Sequence, residues 1–198
     1  MNSTRNALAA LLGLAAVTVG TAVLAQPQAG PQSGVVFRNT VTGETLDTSQ
    51  GKEGGRDTDA VKTFFETGQN SYIDDKACLR NGESLFATSC SGCHGHVAEG
   101  KLGPGLNDNY WTYPSNTADT GLFATIFGGA NGMMGPHNEN LTPDEMLQVI
   151  AWIRHLYTGP KQDALWLNDQ QKAAYKPYKE GEKIPEDAKG QCKPLAQD

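Results

Sequence analysis

The sequence predicts a mostly α-helical domain with long irregular extensions at both ends. Two helices and an anomaly between them support this. Residues 142–157 read as a capped amphipathic helix and residues 75–88 as a second one, while the stretch from Ser89 to Leu141 is rich in Gly, Asn and Pro. A loop region that long is unusual inside a compact domain unless something besides the chain supplies the core. The length of 198 residues suits one domain plus extensions, and 38% apolar with 19% charged residues fits neither a multi-span membrane protein nor a charged disordered chain.

Taken in order, residues 1–25 have Arg5, an apolar run from Ala7 to Val17, and Val23-Leu24-Ala25 ahead of Gln26-Pro27. A positive start, an apolar middle and a small-residue exit form a secretory signal peptide, removed on export. No stable membrane insertion is expected after its removal. Residues 26–74 are expected as an N-terminal extension, turn-rich, with one short strand near Val35–Phe37 and a short helix from Asp59 that stops at Gly68. The central domain is expected over 75–160. Its first helix puts Leu79, Leu85 and Phe86 on an apolar side, and a short apolar patch at Leu122–Phe127 interrupts the loops. The last helix has Thr142 as N-cap, Pro143 at the first position and Glu145 completing a capping box. Met146, Val149, Ile150, Ile153 and Tyr157 follow at helical spacing, and Gly159-Pro160 ends it. Residues 161–198 form a polar C-terminal extension wrapping the domain, with Trp166, Tyr175 and Tyr178 as packing anchors.

Sixteen Lys and Arg against 22 Asp and Glu leave no basic excess for phosphates, so a nucleic-acid partner is not expected. The acidity is uneven. Residues 161–198 balance seven Lys with seven acids, whereas 26–160 hold eight basic and 15 acidic side chains. An acidic body favours a basic protein partner.

Cys90-Ser91-Gly92-Cys93-His94 is C-x-x-C-H, the attachment signature for c-type haem. Two thiols three positions apart can add to vinyl groups on one porphyrin edge, and the next residue, His94, reaches the iron from one face. A zinc site would need a second, similarly spaced ligand pair, which Cys78 and Cys192 do not provide. The motif occurs once, so one covalent haem is expected, and it accounts for the loop-rich centre by acting as the core that the loops enclose.

For the opposite face of the iron the Gly-rich stretch Gly128–His137 offers Met133, Met134 and His137. A thioether there stabilises ferrous iron. Met134 is the first choice, Met133 the second and His137 the third. Met146 and His155 lie in the last helix, where Met is usually core and His surface, and His96 is too near His94 to cross to the other face. In an exported chain Cys78 and Cys192 are expected to form a disulfide, tying the C-terminal extension to the helix before the haem site.

Gly82, Leu85, Phe86 and Cys90 ahead of the motif, with the aromatic helix Met146–Tyr157, resemble the class I cytochromes c. That resemblance implies that the first helix of the haem domain crosses the last, with Gly82 and Phe86 near Trp152–Tyr157. It also implies that the Pro104 carbonyl of Gly103-Pro104-Gly105-Leu106 accepts a hydrogen bond from the iron-bound His94, making it a better donor. Cys90–His96, Gly100–Pro114, Gly128–His137, Phe37–Gly43 and Lys189–Cys192 together resemble the cytochrome cL family of methylotrophic bacteria, over essentially the whole exported chain. The resemblance implies a monomeric periplasmic carrier, not an enzyme. Such a carrier takes electrons singly from methanol dehydrogenase, a quinoprotein holding pyrroloquinoline quinone (PQQ) and a metal, and passes them to a smaller cytochrome c. It also implies a bound calcium, although no EF-hand loop is present. Two other functions stay open. The chain could be the cytochrome acceptor of another periplasmic quinoprotein dehydrogenase, or a ligand-binding or peroxidatic haem protein with an open sixth position.

Overall fold

The computed structural model describes residues 34–195, and the signal segment 1–25 lies outside them. The described part is helical: α1 (Asp59–Thr67), α2 (Lys76–Ser89), α3 (Ser91–His94), a 3₁₀ turn (Pro114–Thr117), α4 (Asp119–Gly128), α5 (Pro143–His155) and α6 (Asp169–Ala174). Among these residues the only β pairing is a single antiparallel bridge between Arg38 and Thr45. It closes a turn over Gly43 just beyond Val35–Phe37, where the expected short strand does not form.

The helix termini follow the sequence signals. Thr58 caps α1 through Val61 N, and Gly68 ends it in the left-handed region at φ 77°. Asp75 caps α2 by accepting from Cys78 N at 3.0 Å. On α5 the Thr142 hydroxyl accepts from Glu145 N at 3.2 Å while the Glu145 carboxylate accepts from Thr142 N at 2.7 Å, the reciprocal box read from the sequence.

α5 is the buried axis, and α2 crosses it, with α1 and α4 packed alongside. The crossing is close at Gly82. A Cβ there would run into the Gln148 carbonyl and come within 3.0 Å of Trp152 Cβ. Phe86 fills the same seam at 1% exposure.

The Leu122–Phe127 patch belongs to a ten-residue helix, α4, rather than to a loop. Every residue from Leu122 to Phe127 is buried. With no solvent face, the stretch shows no 3.6-residue alternation. Phe123 packs on Phe37 and Phe64 at centroid separations of 4.9 and 5.3 Å. The chain itself therefore supplies a hydrophobic core in this region. The C-terminal extension also contains a helix that its polar sequence hides, α6, whose Asn168–Gln171 capping box holds six residues.

One buried ion pair fastens α5 to the elements around it. Arg154 Nε donates to Asp119 Oδ1 at 2.8 Å, with side-chain exposures of 1% and 5%. Its Nη2 donates to the Asn116 carbonyl at 2.9 Å, and the guanidinium lies 5.0 Å from the Trp111 ring and 4.0 Å from Trp166. Trp166 thereby anchors the C-terminal extension, as do Tyr175, which donates to the Tyr157 carbonyl at 2.9 Å, and Tyr178, set edge-on to His155 at 5.7 Å. His155, expected at the surface, is half-buried between Trp152 and Tyr178.

Candidate functional site

Cys90 closes α2, its N–H donating to Phe86 O at 2.9 Å, and the chain then turns at once into the single turn of α3. Cys93 N and His94 N both donate to Cys90 O, at 3.1 and 3.0 Å, so the whole motif is one helical turn. Its register puts both thiols and the imidazole around one end of α2. Ser91 ties the turn back by donating to Ala87 O at 2.7 Å. Neither thiol is in a disulfide: Cys93 is exposed and Cys90 partly buried. Burial first, then the neighbouring Cys93, pushes the Cys90 thiol up to about 11.

His94 is buried and its ring is oriented from the following loop. The Pro104 carbonyl lies 2.8 Å from Nδ1 and accepts from it when that nitrogen carries the proton, which leaves Nε2 to face a metal. Gly103 N donates to Cys93 O at 2.9 Å, laying the loop against the motif. A Cβ on Gly103 would come within 2.7 Å of His94 Cε1, so only glycine lets the loop lie on the ring.

The second half of the site is the loop after α4. Gly129 and Gly132 take φ of 78° and 80°, and Ala130 N donates to Met134 O at 2.9 Å. Met133 is 78% exposed and points to solvent, Met134 is half-buried against the core, and His137 is half-buried. Burial first, and then the charge of His94, holds the His137 pKa below the ordinary value. The structure thus brings Cys90, Cys93, His94 and Pro104 together, and on the 129–137 loop it leaves Met133 exposed and Met134 and His137 half-buried.

Cys78 and Cys192 form a disulfide spanning 114 positions, as expected. The surrounding tail is fitted to α2: Gln191 N donates to Asp75 Oδ2 at 2.8 Å and Asn81 Nδ2 to Lys193 O at 2.8 Å. The sequence does not announce the Arg154–Asp119–Trp166 cluster, since no local spacing rule links Arg154 to positions 35 residues before it and 12 after it. Among the described residues no group of three or more His, Cys, Asp or Glu side chains could hold a metal ion, so no residues are assigned to calcium. No helix among them is long and apolar enough to cross a membrane.

Free thiols on one turn with a buried histidine, whose outer nitrogen is fixed by a backbone carbonyl, fit a covalently attached haem. The site and the crossed helices define a class I c-type cytochrome, an electron-transfer protein and not an enzyme. Residues 77–153 match the family described as cytochrome C oxidase, cbb3-type, subunit III. Cytochrome c-L of Methylorubrum extorquens is 84% identical over 186 residues, 94% of either chain. The cbb3-type cytochrome c oxidase subunit FixP of Sinorhizobium medicae is 32% identical over 94 residues, 42% of this chain and 32% of its own. Among solved structures, cytochrome cL of Methylophaga aminisulfidivorans aligns with a TM-score of 0.70 at 56% identity, covering 77% of this chain and 99% of its own. Cytochrome cL of Hyphomicrobium denitrificans gives 0.69 at 59%, covering 74% and 88%. The chain belongs to the cytochrome cL family, whose members carry haem c.

Proposed function

We propose that this chain is a periplasmic single-haem carrier. It accepts electrons one at a time from PQQ-dependent methanol dehydrogenase and hands them to a second, smaller cytochrome c. The observation that carries the reading is the 84% identity to a cytochrome c-L along 94% of both chains, with the haem motif intact in its helical turn. Export by the N-terminal signal supports the compartment, and the acidic body supports docking to a basic enzyme surface.

Cys90 and Cys93 would hold the haem through thioethers and His94 would bind the iron through Nε2. The haem, once attached, supplies a one-electron Fe(III)/Fe(II) couple. The chain's residues supply the rest: Pro104 fixes the His94 ring, and the 129–137 loop provides the opposite ligand. Met134 is the first reading for that ligand, supported by its half-buried place on the loop. Met133, exposed on the same loop, and then His137, half-buried on it, are the alternatives. Met134→Ala should lower the reduction potential and open the iron to added ligands, and an unchanged spectrum and potential would move the assignment to Met133 or His137.

The deciding experiment mixes the oxidised protein with methanol dehydrogenase and methanol and follows haem reduction. Fast, saturable reduction that weakens with salt supports the reading. No reduction by an enzyme active with an artificial acceptor removes methanol dehydrogenase as donor, and exchange against other quinoprotein dehydrogenases then finds the partner. Rapid carbon monoxide binding to the ferrous protein would instead favour a ligand-binding or peroxidatic role.

A further inference from the structure

We infer that the N-terminal extension is a positioning clamp on the loop that carries the distal ligand, gripping it at both ends and setting how easily that ligand leaves the iron. The inference rests on the reading that the 129–137 loop supplies this ligand.

The loop has few anchors of its own. Two of its hydrogen bonds are internal, Ala130 N to Met134 O and Gly135 N to Met133 O, at 2.9 and 3.1 Å. Four reach the rest of the domain, three of them at His137: Asn131 N donates to the Tyr113 hydroxyl at 3.1 Å and His137 N to Ile126 O at 3.0 Å, while His137 O accepts from Asn140 N and Leu141 N at 3.0 and 2.9 Å. The extension adds a grip at each end. At the start, Asn39 Nδ2 donates to Gly128 O at 3.2 Å, and Leu46 lies so close that a Cβ on Gly128 would come within 2.9 Å of it. Beside this, the Thr40 and Thr125 hydroxyls are 2.7 Å apart. Thr125 also donates to Asn116 Oδ1 at 2.9 Å, so Thr40 is the donor in that pair. At the far end, Lys52 N donates to Asn138 O at 2.6 Å, and Gly51 packs so tightly on Asn138 that a Cβ would run into its carbonyl. The Lys52 ammonium then reaches the Glu145 carboxylate at 3.0 Å, at the start of α5.

The gripping segment is itself made stiff. Asn39 Oδ1 accepts from Val41 N and Thr42 N at 2.9 and 3.0 Å, fixing the first turn. Arg56 donates to three backbone carbonyls, those of Thr48, Gln50 and Lys52, at 3.2, 2.6 and 2.8 Å, which shapes the loop presenting Gly51 and Lys52. A segment rigid in itself and bonded to both ends of a mobile-type glycine loop restricts the outward swing needed to free the ligand. None of these residues contacts the iron site directly. They act through the loop.

The test uses the haem-loaded protein and reads the rate at which added imidazole displaces the distal ligand from ferric iron, alongside the reduction potential. Thr40→Val removes one hydrogen bond at constant shape and should speed imidazole entry about fivefold, the factor that about 1 kcal/mol provides. Thr40→Ser keeps the hydroxyl and should restore the original rate. Gly51→Ala, blocked by Asn138 and disfavoured at φ 97°, should speed entry more than tenfold and shift the potential. Gly181→Ala is the control: it lies in the C-terminal extension at φ 86° with nothing within 4 Å of its Cβ, and should change neither readout. If Thr40→Val and Gly51→Ala both match Gly181→Ala, the N-terminal extension is a passive cover and the clamp is overturned. If Gly51→Ala does not fold, Thr40→Val with its serine rescue decides alone. A Met133→Ala/Met134→Ala/His137→Ala triple variant that binds imidazole no faster than the parent would show that the loop supplies no ligand, and the underlying reading falls together with the clamp.

Discussion

Gly82→Ala sets two effects of opposite sign against each other at the helix crossing that supports the haem motif. On an open helix surface the change stabilises by about 1 kcal/mol, through helix propensity and a less flexible unfolded chain. At this position the added methyl meets the main chain of α5, with the Gln148 carbonyl carbon at 2.8 Å and Trp152 Cβ at 3.0 Å. A helix backbone cannot rotate aside as a side chain can, so α2 and α5 must separate by a few tenths of an ångström or more. A gap of 0.5–1 Å already forfeits about a quarter to a half of each contact's dispersion energy along the seam. Overpacking of this kind costs about 1–3 kcal/mol or more, and the rigid obstacle puts it at the upper end. The expected net is a loss of about 2 kcal/mol, or roughly 4–8 °C in Tm for a protein of this size. Urea unfolding followed by far-ultraviolet circular dichroism measures it, with an unchanged m-value showing that stability alone has moved. Ser84→Ala, exposed on the same helix, is the reference and should gain a few tenths of a kcal/mol. A Gly82→Ala protein as stable as that reference would refute the close-crossing argument.

Three further outcomes follow from the geometry. Asp119→Asn leaves the Arg154 guanidinium buried without its counter-charge and should cost about 3–5 kcal/mol in urea unfolding, whereas an exposed-pair loss below about 1 kcal/mol would mean that water reaches the site. Gly103→Ala pushes on the His94 ring and weakens its bond to Pro104, making the imidazole a poorer donor. The reduction potential should rise by a few tens of mV, read by redox titration, and an unchanged value would remove Pro104 from the account. Glu99→Gln with Glu139→Gln removes two exposed acids flanking the two halves of the site and should slow reduction by methanol dehydrogenase two- to threefold at low salt, by rough estimate. The difference should vanish at high salt, and a rate indifferent to both charge and salt would exclude electrostatic docking.

Local chemistry carried most of what could be read in advance. Thr142, Pro143 and Glu145 announce α5 because a capping box acts within four residues, and C-x-x-C-H announces its cofactor because one helical turn presents all three groups. The Leu122–Phe127 helix stayed hidden because burial on every side removes the polar face that periodicity depends on. Met133, Met134 and His137 could be ranked but not separated, since a Gly-rich loop leaves the direction of each side chain to tertiary contacts. Those contacts come from positions such as Asn39 and Lys52, some 90 residues earlier, and no spacing rule spans that distance. The disulfide was legible from compartment and cysteine count, but the fit of Gly190 and Gln191 against Asp75 was not.

The link between Cys78 and Cys192 bears on the order in which the chain can mature. In an unfolded chain, closing the 12-position loop from Cys78 to Cys90 is favoured over the native 114-position loop by about 2 kcal/mol of closure entropy, roughly thirtyfold. Random oxidation would therefore consume a haem-attaching thiol before the native bridge could form. Thioether formation at Cys90 and Cys93 takes both competitors out of the reaction, leaving Cys78 a single partner. Loop length and the chemistry of the cofactor therefore favour one sequence of events: haem first, bridge afterwards.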